Sequence, residues 1–159
     1  MTTEEIFSKI DARGIGGMMF HQQMADYYGF LNMCEYMCLH DKRFKEESES
    51  LRSLHHYYIE KYGKLIQQQK VSDPEAIPQV FMRYSQSDIT SSDKHKYVLS
   101  GFEKWVEWEK ETKDILMTCY KELINNSEFT TAQEILRRLC DVDNEIVEAK
   151  KMWMTIRDA

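Results

Sequence analysis

Glu109 is the residue whose position most demands a chemical explanation. It falls inside the apolar stripe Val98, Phe102, Trp105, Glu109, Thr112, Leu116, Cys119 and Leu123, roughly 35° from the centre of the arc at 100° per residue. An inward carboxylate costs several kcal/mol unless a metal ion, another cation or hydrogen bonds compensate it. On a second stripe His55 is similarly central, with Tyr58 and Tyr62 beside it. Gln23 interrupts a third stripe between Phe20, Tyr27 and Phe30, and Asp143 sits on the shoulder of a fourth, about 60° off centre. Glu109, His55 and Asp143 are the candidate metal ligands, and Gln23, Tyr58 and Tyr62 are the inward polar residues around them. Two carboxylates and an imidazole would suit iron, manganese or zinc.

The same residues have a quieter reading. Glu109 can pair with His55, Arg52 or a tyrosine hydroxyl, or swing out to Lys113 one turn on. His55 and Gln23 then become hydrogen-bonded core residues, and the tyrosines and tryptophans become packing. Height also separates the candidates: with the first turn placed near Asp41, Gln23 and His55 differ by about one helical turn, ~6 Å.

The elements that must position these residues are helices. Thr2-x-x-Glu5 is a capping box for a short helix ending near Arg13, and Gly14-Ile15-Gly16-Gly17 predicts a hinge after it. A first long helix follows from about Met18 to Leu39 with stripe Phe20, Met24, Tyr27, Leu31, Cys34 and Cys38. Asp41 is the candidate N-cap of a second, about Lys42 to Gln67, with stripe Phe44, Ser48, Leu51, His55, Tyr58, Tyr62 and Leu65. The third spans about Ser91 to Asn125. The fourth, opened by Thr131-x-x-Glu134, runs to about Arg157 and buries Ala132, Ile135, Leu139, Val142, Ile146, Ala149, Trp153 and Ile156.

Only the stretch 67–90, which contains both prolines, lacks a helical period. Spanning a helix of ~24 residues takes only about 11 extended residues. The link is therefore long enough to return along the bundle and make the second and third helices parallel. The expected fold is all-α: two antiparallel hairpins joined by one long crossover, in a single domain over 1–159. Within the crossover Val80, Phe81 and Tyr84 are the expected anchors.

Composition bounds the function. With 42% hydrophobic and 30% charged residues the chain has the makings of a folded globular domain. A net charge of −6 with no dense basic cluster excludes a general nucleic-acid binder. The N-terminus lacks a secretory pattern and no apolar run spans a bilayer, so no membrane role and a cytoplasmic location are expected. The four cysteines form no CxxC pair and are expected to be buried free thiols. No serine-hydrolase, zinc-protease or EF-hand motif is present.

Two segments carry a family resemblance. Glu107-Trp108-Glu109-Lys110, with Leu116 after it, resembles the third helix of ferritins, where an inward glutamate followed by lysine holds the di-iron site. Gln23-Met24-Ala25-Asp26-Tyr27-Tyr28-Gly29-Phe30-Leu31 is similar to the first ferritin helix, with Gln23 where that helix places an iron-ligand glutamate. The resemblance implies a ferritin-like bundle. The Glu-x-x-His pair of the family's second helix occurs nowhere in this chain, and His55-x-x-Tyr58 is its nearest substitute.

Two functions are thereby expected. The one favoured by the missing carboxylates is a non-catalytic bundle that acts as a binding or interaction protein. The alternative is a ferritin-like metal protein with a reduced inter-helix site on Glu109, His55 and Asp143. Met18, Met19, Met33 and Met37 widen the apolar surface of the first long helix, so the N-terminal helix, the crossover or another subunit is expected to cover it. A homo-oligomer is the simplest outcome, and a protein partner is the other.

Overall fold

The computed structural model describes residues Met1–Ala159. Four long helices make up the body: α1 (Thr3–Phe30), α2 (Cys34–Tyr62), α3 (Ser91–Asn125) and α4 (Phe129–Arg157). Two short 3-10 turns, Gln79–Arg83 and Gln86–Asp88, lie in the crossover between α2 and α3. The all-α bundle of two hairpins is as the sequence predicts.

Side-chain pairs fix the directions. Arg13 meets Thr112 while Tyr28 meets Val98, so α1 and α3 are antiparallel. Asp11 meets His55 while His21 meets His40, so α1 and α2 are antiparallel too. It follows that α2 and α3 run parallel. Only a connection returning along the bundle allows that.

Three boundaries differ from the sequence-based expectation, and so does a fourth, the end of α2 at Tyr62 rather than near Gln67. The short N-terminal helix is not separate: α1 continues through the glycine run as one helix. Each helical glycine costs about 1 kcal/mol relative to alanine, and close packing accounts for these. A Cβ on Gly14 would lie 2.6 Å from the Leu51 side chain, one on Gly16 3.2 Å from Trp108, and one on Gly17 3.3 Å from the Glu47 carboxyl carbon. The glycines therefore let neighbouring helices approach rather than break their own. The first turn also lies earlier, at Leu31-Asn32-Met33, with Asn32 at φ 58. Asp41 is inside α2 and caps nothing. Finally, α4 begins at Phe129, and Thr131 spends its hydroxyl on Tyr57 and Tyr62 rather than on a cap. Thr2 does cap α1, accepting from the Glu5 amide.

The buried face of α2 is turned relative to the expected stripe, its inner line passing through His40, Leu54 and Tyr58. The helix ends at Tyr62 with Gly63 in the left-handed conformation, so Leu65 lies beyond it and is exposed. Cys34 and Cys38 become exposed, as does Cys140, so only Cys119 is the buried thiol expected of all four. Met33 and Met37 now belong to the turn and to α2, where they pack on the core. The width of the apolar surface that suggested an outside partner is shared between two helices of the same chain.

The crossover lies along the bundle. Phe81 is buried, stacks on Tyr27 at 5.3 Å and meets Tyr97 edge-on at 4.9 Å. Val80 and Tyr84, the other expected anchors, are less well covered, at 39% and 38% exposed. Upstream, Gln23 donates to Asp73 and accepts from the Ala76 amide, while the Lys104 ammonium donates to the Ala76 carbonyl. Phe81→Ala should cost about 3 kcal/mol. Chemical denaturation should show the loss, and native-state proteolysis should show cleavage moving into the crossover.

The apolar core is in two parts. Ile6, Phe7, Leu54, Tyr58, Leu123 and Ile135 fill one end. Met24, Tyr28, Phe81, Phe102, Trp105 and Ala149 fill the other. Between them the bundle holds a polar layer.

Candidate metal centre

All four helices feed this layer. From α1 come Arg13, Gly17 and His21; from α2, His40, Arg43 and Glu47; from α3, Glu109; from α4, Glu145. His21, His40 and Glu109 are excluded from solvent, with His21 and His40 at 0% and Glu109 at 1%. Glu47 and Glu145 are partly open, because they also line a cavity of about 370 Å³ that Arg13, Gly14, Gly17 and Arg43 share. Glycine at position 17 leaves the room that the Glu47 carboxyl occupies.

His21, Glu47 and Glu109 each offer one ligand atom within 4.8 Å of the others. His21 Nε2 lies 3.9 Å from Glu109 Oε1, too far for a hydrogen bond, and neither atom has any partner. Two ligands each about 2.1 Å from one ion lie at most about 4.2 Å apart, so the gap is the size an ion needs.

Burial governs the protonation of these groups. Burial drives the Glu109 carboxyl well above its usual range, and the nearby Glu145 and Glu47 add to this. Glu109 and Glu145 face each other closely enough to share a proton, which burial and repulsion place on Glu109. Burial and Glu145 push Glu47 up to about 7, against the opposing Arg138, Arg43 and Arg13. Burial holds His21 well below the usual histidine range, with His40 and Arg43 contributing, and takes His40 down to about 3. Both imidazoles are therefore neutral at pH 7.

Neutral rings restrict one another. His21 Nδ1 and His40 Nδ1 are 2.9 Å apart, so one must donate and the other accept. If His40 donates, His21 Nε2 carries a hydrogen and cannot ligate. If His21 donates, its Nε2 lone pair faces Glu109. An ion held by His21 would require the second arrangement, in which His40 is the acceptor that fixes the His21 ring. His40 itself stacks on Tyr28 and meets Trp105 edge-on. His40→Phe should keep this packing yet weaken metal affinity about 10- to 100-fold, as measured by zinc titration calorimetry.

Of the ligands proposed from sequence, only Glu109 is in this cluster. His55 lies farther along α2, where it bonds the buried Asp11 at 2.6 Å. Asp143 is half-exposed and pairs with Lys113 at 2.8 Å. Gln23 faces the crossover, while the Tyr62 hydroxyl donates to Glu128 and meets Thr131. Tyr58 is buried in the apolar cluster beside Phe7. His55 and Asp143 therefore do not join Glu109, and the physical reason is register. Starting α2 at Cys34 brings Glu47 rather than His55 to the level of Glu109, and Glu145 rather than Asp143 is the inward carboxyl of α4.

The missed residues did leave signals. With the glycine run read as helical, Gly17, His21, Met24 and Tyr28 form one stripe at steps of four, three and four. On α2, His40, Glu47 and Leu54 recur at intervals of seven, and Glu145 lies between Val142 and Ala149 on the face of α4.

With the geometry described, the class of fold is clear. It is a ferritin-like four-helix bundle. A variant of the ferritin PmFTN soaked in iron matches 98% of this chain and 87% of its own, with a TM-score of 0.78 at 10% identity. A humanized archaeal ferritin matches 99% of this chain and 87% of its own, with a TM-score of 0.77 at 14% identity. No protein-family model and no curated protein matches the sequence. No helix is long and apolar enough to cross a membrane.

Proposed function

We propose that the protein binds one divalent transition-metal ion at His21, Glu47 and Glu109. The observation that carries this reading is the pair of partnerless buried atoms, His21 Nε2 and Glu109 Oε1, facing each other at 3.9 Å beside the Glu47 carboxyl. A buried donor or acceptor left unmade costs about 1–3 kcal/mol, and more when charged. A cation would satisfy both atoms and displace the proton from Glu109. One imidazole and two carboxylates favour iron, manganese or zinc over calcium and magnesium, which prefer all-oxygen sets.

The remaining residues support the same role. His40 orients the ligand imidazole, Glu145 takes up the proton-sharing position beside Glu109, and Gly17 keeps the Glu47 carboxyl in place. The cavity gives small molecules a path to the Glu47 side. A bound ion there supplies Lewis acidity, and iron or manganese would add redox chemistry. An interaction module, the other expectation from sequence, gives no reason for these orphaned polar atoms. Elemental analysis of untagged protein purified without chelator, repeated after anaerobic incubation with Fe(II), tests the proposal. About one metal per chain is expected; below about 0.1 the proposal fails.

A further inference from the structure

The carboxylates around the cavity fall into two groups that differ in one respect. Glu47 and Glu109 face His21 and form no ion pair with an arginine or lysine. Glu46, Glu145 and Glu148 instead surround the Arg43 guanidinium. Arg43 donates to Glu46 at 2.8 Å, to Glu145 at 3.1 Å and to Glu148 by a shorter contact. Its side chain is only 13% exposed, and it lies 5.6 Å over the Trp105 ring. Glu145 belongs to both groups, facing Glu109 on one side and Arg43 on the other.

We propose that Arg43 is the resident second cation of this centre, so that it takes one divalent ion and excludes another. The inference rests on the metal-binding reading and deepens it by setting the stoichiometry. A second ion beside the first would need the oxygens of Glu46, Glu145 and Glu148, which the guanidinium already fills.

Arginine engages the three carboxylates more fully than lysine would, although either supplies the positive charge. It stays charged at any working pH, and its planar fork engages several carboxylates at once. Arg43 thus holds Glu145 in place to share its other side with Glu109.

Native mass spectrometry with zinc or manganese alone as the probe tests the proposal. The wild type should take one ion per chain, even in excess metal. Arg43→Met should take two, because three carboxylates lose their counter-ion and can accept another. Arg43→Lys should remain at one. Two ions on the wild type, or one ion on a folded Arg43→Met protein, would overturn the proposal while leaving the metal site standing. Should Arg43→Met not fold, Arg43→Gln replaces it, and the wild-type count remains a refutation on its own. No ion on the wild type would instead remove the metal-binding reading, and this proposal with it.

Discussion

Glu109→Gln should lose the metal and keep the fold. In the metal-free protein the Glu109 carboxyl holds a proton, because burial and the neighbouring Glu145 and Glu47 disfavour its charge. Glutamine has nearly the same shape, is neutral, and can still hydrogen-bond to Glu145. Stability without metal should therefore change by less than about 1 kcal/mol. Metal binding is another matter. A neutral amide cannot offset the charge of a divalent ion in a dry layer. Loss of a residue that merely orients a ligand already costs about 10- to 100-fold, so loss of this ligand should exceed about 100-fold. Melting curves with and without manganese separate the two effects. The metal-dependent rise seen for the wild type should vanish in the variant, while the metal-free midpoints stay close together. A metal-dependent rise that survives the substitution would place the ion elsewhere.

Stability should depend on pH in opposite directions with and without the ion. Glu47 is raised in the folded state from 4.5 to about 7, so it binds more protons folded than unfolded. Its stabilising contribution is fully present below about 4.5 and is lost as pH rises through about 7. Glu109 and Glu145 are raised too and act with the same sign. The histidines oppose them: His40 is lowered from 6.5 to about 3, so its contribution is present above 6.5 and is lost as pH falls towards 3. The metal-free protein should therefore be most stable near pH 5 to 6, with its melting point falling between pH 6 and 8. Metal binding needs the carboxylates deprotonated, so the metal-induced rise should be small at pH 5.5 and largest near pH 8. Thermal melts across this range, with and without zinc, test both limbs. A metal-free melting point that climbs through pH 7 would contradict the protonated carboxyls.

The bundle was legible because its signals are redundant. Along α3 the buried residues Val98, Phe102, Trp105, Leu116, Cys119 and Leu123 are those of its sequence stripe, Glu109 included. The crossover followed from one aperiodic segment. The site was only partly legible, since it depends on register between helices, which periodicity does not contain. A glycine run reads as a break in isolation. Its helical conformation comes from the contacts of Leu51, Trp108 and Glu47, residues far along the chain. Nor does any strong turn signal mark Leu31-Asn32-Met33, whereas Asp41 offers a plausible cap that the structure does not use. His55 enters the sequence reading through its central place on the stripe, and a turn near Asp41 gives no register that brings Glu47 to the level of Glu109. His21 is hidden for the same reason, because a turn near Asp41 leaves its partner His40 in the connection rather than within the second helix.

X-ray absorption on the zinc-loaded protein tests the central claim most directly, because it reports the ligands themselves. One imidazole nitrogen and carboxylate oxygens at about 2.0–2.2 Å are expected, with the imidazole scattering lost in His21→Ala and kept in His55→Ala. An imidazole signal that disappears with His55 rather than His21, or a first shell of water oxygens alone, would contradict the account.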